Sequence, residues 1–165
     1  MNTSPIVIAN DHGGYRAKLS ILPKLDEWGV PYEDLGCHSE EIVRYPNYVK
    51  QVCEAIIEGR VTRGVLICST GIGMSIAANK FPGIRAALVA DHYSATMTRR
   101  HNDSNVLCLG GRTLGDFQLI HCLEAWLSEE YEGGRHDISL GLIHDIEQDD
   151  FRTPTASRAD GGDRE

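Results

Sequence analysis

Short apolar runs alternate with stretches of helical periodicity along most of this chain. The run at 6–9 (Ile-Val-Ile-Ala), the polar turn at 10–14, and Leu19, Leu22 and Leu25 predict a strand, a loop and a helix ended by Gly29. A weaker strand at 31–35 and a polar loop through Arg44 lead to a helix over 46–58, stopped by Gly59. The run ending in Cys68 (65–68) predicts a third strand. A helix over 71–80 and a turn at Pro82-Gly83 follow it. The pattern then repeats with a strand at 86–89, a helix at 93–99, a strand at 105–109 and a glycine turn at 110–112. Leu119, Leu123 and Trp126 mark a helix over 116–128, and a last helix is expected over 138–147. Strands that are almost wholly apolar and alternate with helices belong in a parallel sheet covered on both faces. The expected fold is therefore α/β: a doubly wound five-stranded parallel sheet, a Rossmann-like three-layer sandwich, in one domain over residues 1–150. Residues 151–165 are polar and aperiodic, and a disordered tail is expected there.

Ligands on such a sheet bind outside the carboxyl ends of the strands. Three of those ends carry chemistry: Asp11-His12, Cys68-Ser69-Thr70 and Gly110-Gly111-Arg112. The richest is Cys68-Ser69-Thr70-Gly71-Ile72-Gly73, where two glycines and two hydroxyl residues allow a tight turn with several N–H groups aligned. The helix start behind it adds positive potential, so an anion, or a carbon becoming anionic, is favoured there. The same field favours a thiolate, making Cys68 a candidate base or nucleophile; a small buried core thiol is the alternative. Asp11 fits a functional group or a cap on the first helix equally well. His101-Asn102-Asp103, and Arg135 with His136, read on their own as exposed polar loops. Gly71-Ile72-Gly73 lacks the third glycine of a dinucleotide site, and no Gly-Lys-Ser/Thr follows to make a P-loop.

Charge narrows the partners. The 165 residues carry a formal charge of -8 with no Lys/Arg run, which argues against nucleic acid or an anionic membrane. No apolar stretch approaches the roughly 20 residues of a membrane span, and the first residues show neither a charged n-region nor a long h-region. A cytoplasmic protein is expected. The five scattered cysteines suit free thiols in a reducing compartment, and no CxxC pair suggests zinc.

Several motifs occur together and in order: Asp11-His12-Gly13-Gly14-Tyr15, Tyr45-Pro46, 68–73, Ala77-Ala78-Asn79-Lys80, 82–86, His101-Asn102-Asp103, Asn105-Val106 and 131–136. The combination closely resembles the type B ribose-5-phosphate isomerase family, which includes the galactose-6-phosphate isomerase subunits, over about residues 6–147. The resemblance implies an aldose-ketose isomerase acting on a sugar phosphate through a cis-enediolate, without metal or organic cofactor. It also implies a homodimer, or a further assembled tetramer, whose active sites take residues from both subunits. On this resemblance Cys68 is the base that moves a proton between C2 and C1, and His101 opens the furanose ring with help from Asp11. The amides of Ser69, Thr70, Gly71, Ile72 and Gly73 would face the developing oxyanion. Thr70 adds a hydroxyl hydrogen bond, Asn102 holds a substrate hydroxyl, and His12, Arg112 and Arg135 hold the phosphate.

Some members of the family use a glutamate where this chain has Met74; Met74 cannot act as a base, which places the chain with the cysteine users. Three positions depart from the common pattern: Ser69 replaces a glycine, Ser139 a second arginine four residues beyond Arg135, and Arg44 an aspartate before Tyr-Pro. Ribose 5-phosphate is the first substrate to expect. Four-carbon erythrose or erythrulose phosphates and six-carbon allose or galactose phosphates are the alternatives, and a non-catalytic sugar-phosphate sensor is the reading from another class.

Overall fold

The computed structural model describes residues 3–148. The tail expected over 151–165 lies outside the described residues. Five parallel strands, β1 (Ile6–Asn10), β2 (Tyr32–Asp34), β3 (Arg63–Cys68), β4 (Ala86–Leu88) and β5 (Val106–Gly110), form one sheet in the order β2-β1-β3-β5-β4. Six helices accompany them: α1 (Tyr15–Trp28), α2 (Tyr45–Ile57), α3 (Ile72–Ala78), α4 (His92–Asn102), α5 (Asp116–Ser128) and α6 (Arg135–Gln148).

Alternation along the central strands divides the core in two. Ile6, Ile8, Val65, Ile67, Leu107 and Leu109 face one layer with Ile21, Leu25, Leu119, Leu123 and Trp126. Val7, Ala9, Leu66, Cys68, Val106 and Cys108 face the other with Val49, Val52, Met74 and Ala78. Both faces of β1, β3 and β5 are buried, which is why their sequences read as unbroken apolar runs. Each large apolar side chain taken fully out of water contributes roughly 1.5–3 kcal/mol.

Three expectations are corrected. The first concerns α1, which buries Ala17, Lys18, Ile21 and Leu25, whereas Leu19 is 49% exposed. Lys18 can be buried because its amine donates to both Asp34 carboxylate oxygens and to the Cys37 carbonyl. The second concerns His101 and Asn102, which form the last turn of α4 and not a loop. Asp103, at φ 44°, ends that helix, with its carboxylate on Arg99 and Arg85. In the third, the last helix begins at Arg135, just after Gly133 and Gly134 in left-handed conformation, and not at 138.

Candidate active site

The strand order reverses direction between β1 and β3, and this is the point where an open parallel sheet leaves a crevice at its carboxyl edge. Glycines bring three loops together there. A methyl on Gly13 would collide with Ser69 Oγ, one on Gly110 would lie 2.9 Å from the Thr70 carbonyl carbon, and one on Gly111 3.3 Å from the Gly13 carbonyl oxygen. The Gly111 amide donates to the Cys68 carbonyl at 2.7 Å and the Arg112 amide to the Ser69 carbonyl at 2.9 Å. These contacts tie the loop after β5 to the loop after β3.

Cys68 ends β3 with its thiol almost buried, and the Gly71 amide donates to its Sγ at 3.1 Å. That donor is aimed by Gly71's left-handed backbone, φ 75°, at the start of α3. The Ile72 amide donates to Thr70 Oγ1 at 3.3 Å, and a hydroxyl that accepts can still donate its own proton. Two of the five expected oxyanion donors therefore already have partners within the loop. Asp11 is buried, and its Oδ1 accepts from the Gly13 and Gly14 amides at 2.9 and 3.1 Å, so it closes the turn before α1 and does not cap the helix itself, whose N-cap is Gly14 without a side-chain bond. His12 Nδ1 accepts from the Val43 amide at 3.3 Å, which fixes the ring against the loop before α2. In that loop the Arg16 guanidinium, through its hydrogen bonds first, holds Glu40 below the usual carboxylate range, and the charges of Arg16 and Arg112 add to it.

His101, Asn102 and Arg135 lie elsewhere. α4 runs antiparallel to the strands, so its C-terminus arrives at the amino edge of the sheet, where the Arg85 guanidinium donates to the Asn102 carbonyl and Asn105 opens the approach to β5. From Asn105 to Gly110, beside Cys68, is five residue rises of about 3.3 Å, roughly 17 Å. The His101 ring stacks on His136 at 4.2 Å between centroids, next to Arg135 at the start of α6. Within one chain, then, Asp11, His12, Cys68, Ser69, Thr70, Gly71, Ile72, Gly73 and Arg112 gather at the carboxyl edge, and His101, Asn102 and Arg135 at the opposite one.

A family model described as Ribose/Galactose Isomerase matches residues 6–143. This chain belongs to that family. Ribose-5-phosphate isomerase B of Escherichia coli is 46% identical over 143 residues, 87% of this chain and 96% of that protein. The solved structure of ribose-5-phosphate isomerase B from Clostridium thermocellum is 45% identical with a TM-score of 0.85, covering 87% of this chain and 97% of the other. The type B ribose 5-phosphate isomerase of Leishmania infantum gives 0.84 at 40% identity, covering 90% and 98%. Membership makes the chain an isomerase, and the five-stranded parallel α/β fold is shared with these structures.

Within this isomerase, some neighbours of the site escaped the reading of residues alone. Tyr45, at the first turn of α2, lies across Gly73: a methyl there would be 2.9 Å from Tyr45 Cζ. Glu132 sits between His101 and His136, 3.7 Å from the Nε2 of each. Neither placement has a spacing signal, because each depends on which helices the sheet brings side by side.

Proposed function

We propose that this protein interconverts ribose 5-phosphate and ribulose 5-phosphate in the cytoplasm, as a homodimer whose two active sites are each built from both chains. The observation that carries the catalytic half is the Cys68 thiol at the meeting point of three glycine-bearing loops, with the Gly71 amide on its sulfur. What supports the dimer is the separation of His101, Asn102 and Arg135 from that thiol by the length of a strand. The exposed face of α6, Ile138, Leu142, Ile143 and Ile146, is the apolar surface that an isologous partner would cover.

In this reading His101 of one chain transfers the anomeric hydroxyl proton to the ring oxygen of the furanose bound at the other chain's Cys68. Asp11 steadies the open form. The Cys68 thiolate then takes the proton from C2 of the open aldose and the negative charge moves to O1. That charge is met by the loop amides and the Thr70 hydroxyl, where one such donor is worth roughly 3–4 kcal/mol in the transition state. A proton passes from O2 to O1 within the cis-enediolate, and return of the carbon-bound proton to C1 gives the ketose. Asn102 holds a substrate hydroxyl, and His12, Arg112 and Arg135 grip the phosphate. The family resemblance routes no step through a metal or cofactor.

Ser139 favours a second reading within the same chemistry. It lies exposed on α6 one turn beyond Arg135, where a second arginine is common in the family, so the phosphate is held with one bidentate partner fewer. A substrate of different length is consistent with that. Comparing kcat/KM for ribose 5-phosphate with the four-carbon and six-carbon aldose phosphates decides between them, with ribose 5-phosphate expected to lead. A Cys68→Ala protein that turns over at the wild-type rate would sink the mechanism. Binding without exchange of the C2 proton for solvent deuterium would make the protein a sensor and not an enzyme.

A further inference from the structure

At the C-terminus of α4, donor atoms of His101, Glu132 and His136 all lie within 4.8 Å of one another. They come from three segments, α4, the connection after α5, and α6. The two imidazoles are stacked, 16° from parallel, and the Nε2 of each lies 3.7 Å from the same carboxylate oxygen, Glu132 Oε2; a rotation of one ring about χ2 brings the two in-plane lone pairs onto a shared ion. That is too long for a hydrogen bond. It is close to the roughly 3.4 Å that separates neighbouring ligands around a tetrahedral zinc with bonds of about 2.0–2.1 Å.

The carboxylate is also oriented for such a role. Its other oxygen, Oε1, takes the Arg100 guanidinium, with Nε at 2.5 Å and Nη2 also in contact, so Arg100 fixes Glu132 without occupying the side that faces the histidines. Outer partners of this kind commonly orient metal ligands. The side chains of His101, His136 and Glu132 are 34%, 16% and 38% exposed, which leaves an entry path and room for a water as fourth ligand. Two imidazoles and one carboxylate suit zinc and its first-row neighbours better than magnesium or calcium.

We propose that His101, Glu132 and His136 bind a divalent first-row cation such as Zn2+, and that the bound ion inhibits the isomerase by occupying the His101 nitrogen. The inhibition rests on the role proposed for His101 above; the binding does not. The ion takes no part in the reaction and stops it.

The test uses the full chain stripped of metal with a chelator and titrated with Co2+. A visible d–d band saturating at about one Co2+ per chain, and bleached by Zn2+, is expected. Glu132→Gln and His136→Gln, each checked for unchanged circular dichroism and melting temperature, should weaken binding about tenfold or more. No saturable band, or equal affinity in wild type and both variants, would overturn the site. In a parallel assay Zn2+ should slow ribose 5-phosphate turnover with a midpoint matching its dissociation constant, reversibly on adding chelator. Inhibition equally strong in both variants would place the ion on the Cys68 thiol instead and overturn the proposal. If the metal-free chain shows no turnover of any sugar phosphate, the functional reading fails while the Co2+ titration still reports on the site.

Discussion

Two inactive variants of this isomerase should repair one another. Take Cys68→Ala, which removes the proposed base at the carboxyl edge, and His101→Asn, which removes the proposed ring-opening group at the amino edge. About 17 Å of β5 lies between the two edges, and no rotamer of His101 closes that distance. If every site draws on both chains, a mixed dimer has one site with both residues intact and one with neither. Equal mixing with full subunit exchange makes about half of the dimers mixed, so about a quarter of wild-type activity should return from parents with almost none. The assay is ribulose 5-phosphate formation, after the variants are mixed in mild denaturant, dialysed, and shown by mass spectrometry to have exchanged. Cys68→Ala with His12→Ala is the control. Both changes lie at the same edge, every site in the mixed dimer is damaged, and no activity should return. Recovery no greater than the sum of the parents, with exchange demonstrated, would refute the shared site and require the chain to close the strand-length gap within itself.

Other consequences follow from particular contacts. Gly71→Ala places a methyl 2.5 Å from Leu88 Cδ1 and 3.0 Å from the Leu109 carbonyl carbon, on a backbone at φ 75°. It should cost about 1–3 kcal/mol in urea unfolding and most of the turnover, and a variant of wild-type stability would show that the turn is unstrained. Lys18→Met strands Asp34, 20% exposed, without the amine that meets both its oxygens. A loss of about 3 kcal/mol is expected, partly recovered by adding Asp34→Asn; no loss would mean the pair is dispensable. Burial pushes the thiols of Cys53 and Cys122 up to about 12 and about 11, and that of Cys108, which also feels Cys68 and Cys53, well above its ordinary value. At about pH 8 these three are protonated and inert, so iodoacetamide followed by mass spectrometry should label them only in denaturant. Trp126→Phe removes the indole bond to Ser104 Oγ at 2.9 Å and weakens the stacking of Arg63 and Arg99 on the ring. About 1–2 kcal/mol should go, read as a lower urea midpoint, whereas an unchanged midpoint would assign Trp126 to packing alone.

What could be read from the sequence divides along a physical line. Unbroken apolar runs report burial on two faces, so β1, β3 and β5 were legible to within two residues, and the loops following β1, β3 and β5 were placed at the correct edge. Helical phase was less legible where a charge is buried. α1 carries Lys18 inward and Leu19 outward because Asp34 and Cys37, sixteen and nineteen residues away in the chain, satisfy the amine. Helix ends set by distant partners were hidden too: α4 runs on through His101 and Asn102 because Asp103 is held by Arg99 and by Arg85, the residue before β4. That one extra turn bears on the functional argument. Read as a loop, His101 could be imagined anywhere, including beside Cys68. As the last turn of a helix antiparallel to the sheet, it is committed to the far edge, so on the proposed mechanism a single chain holds two incomplete halves of one site. If His101 and Cys68 act on one sugar, the dimer implied by resemblance acquires a geometric reason of its own, because a second copy is what would bring a His101 to Cys68.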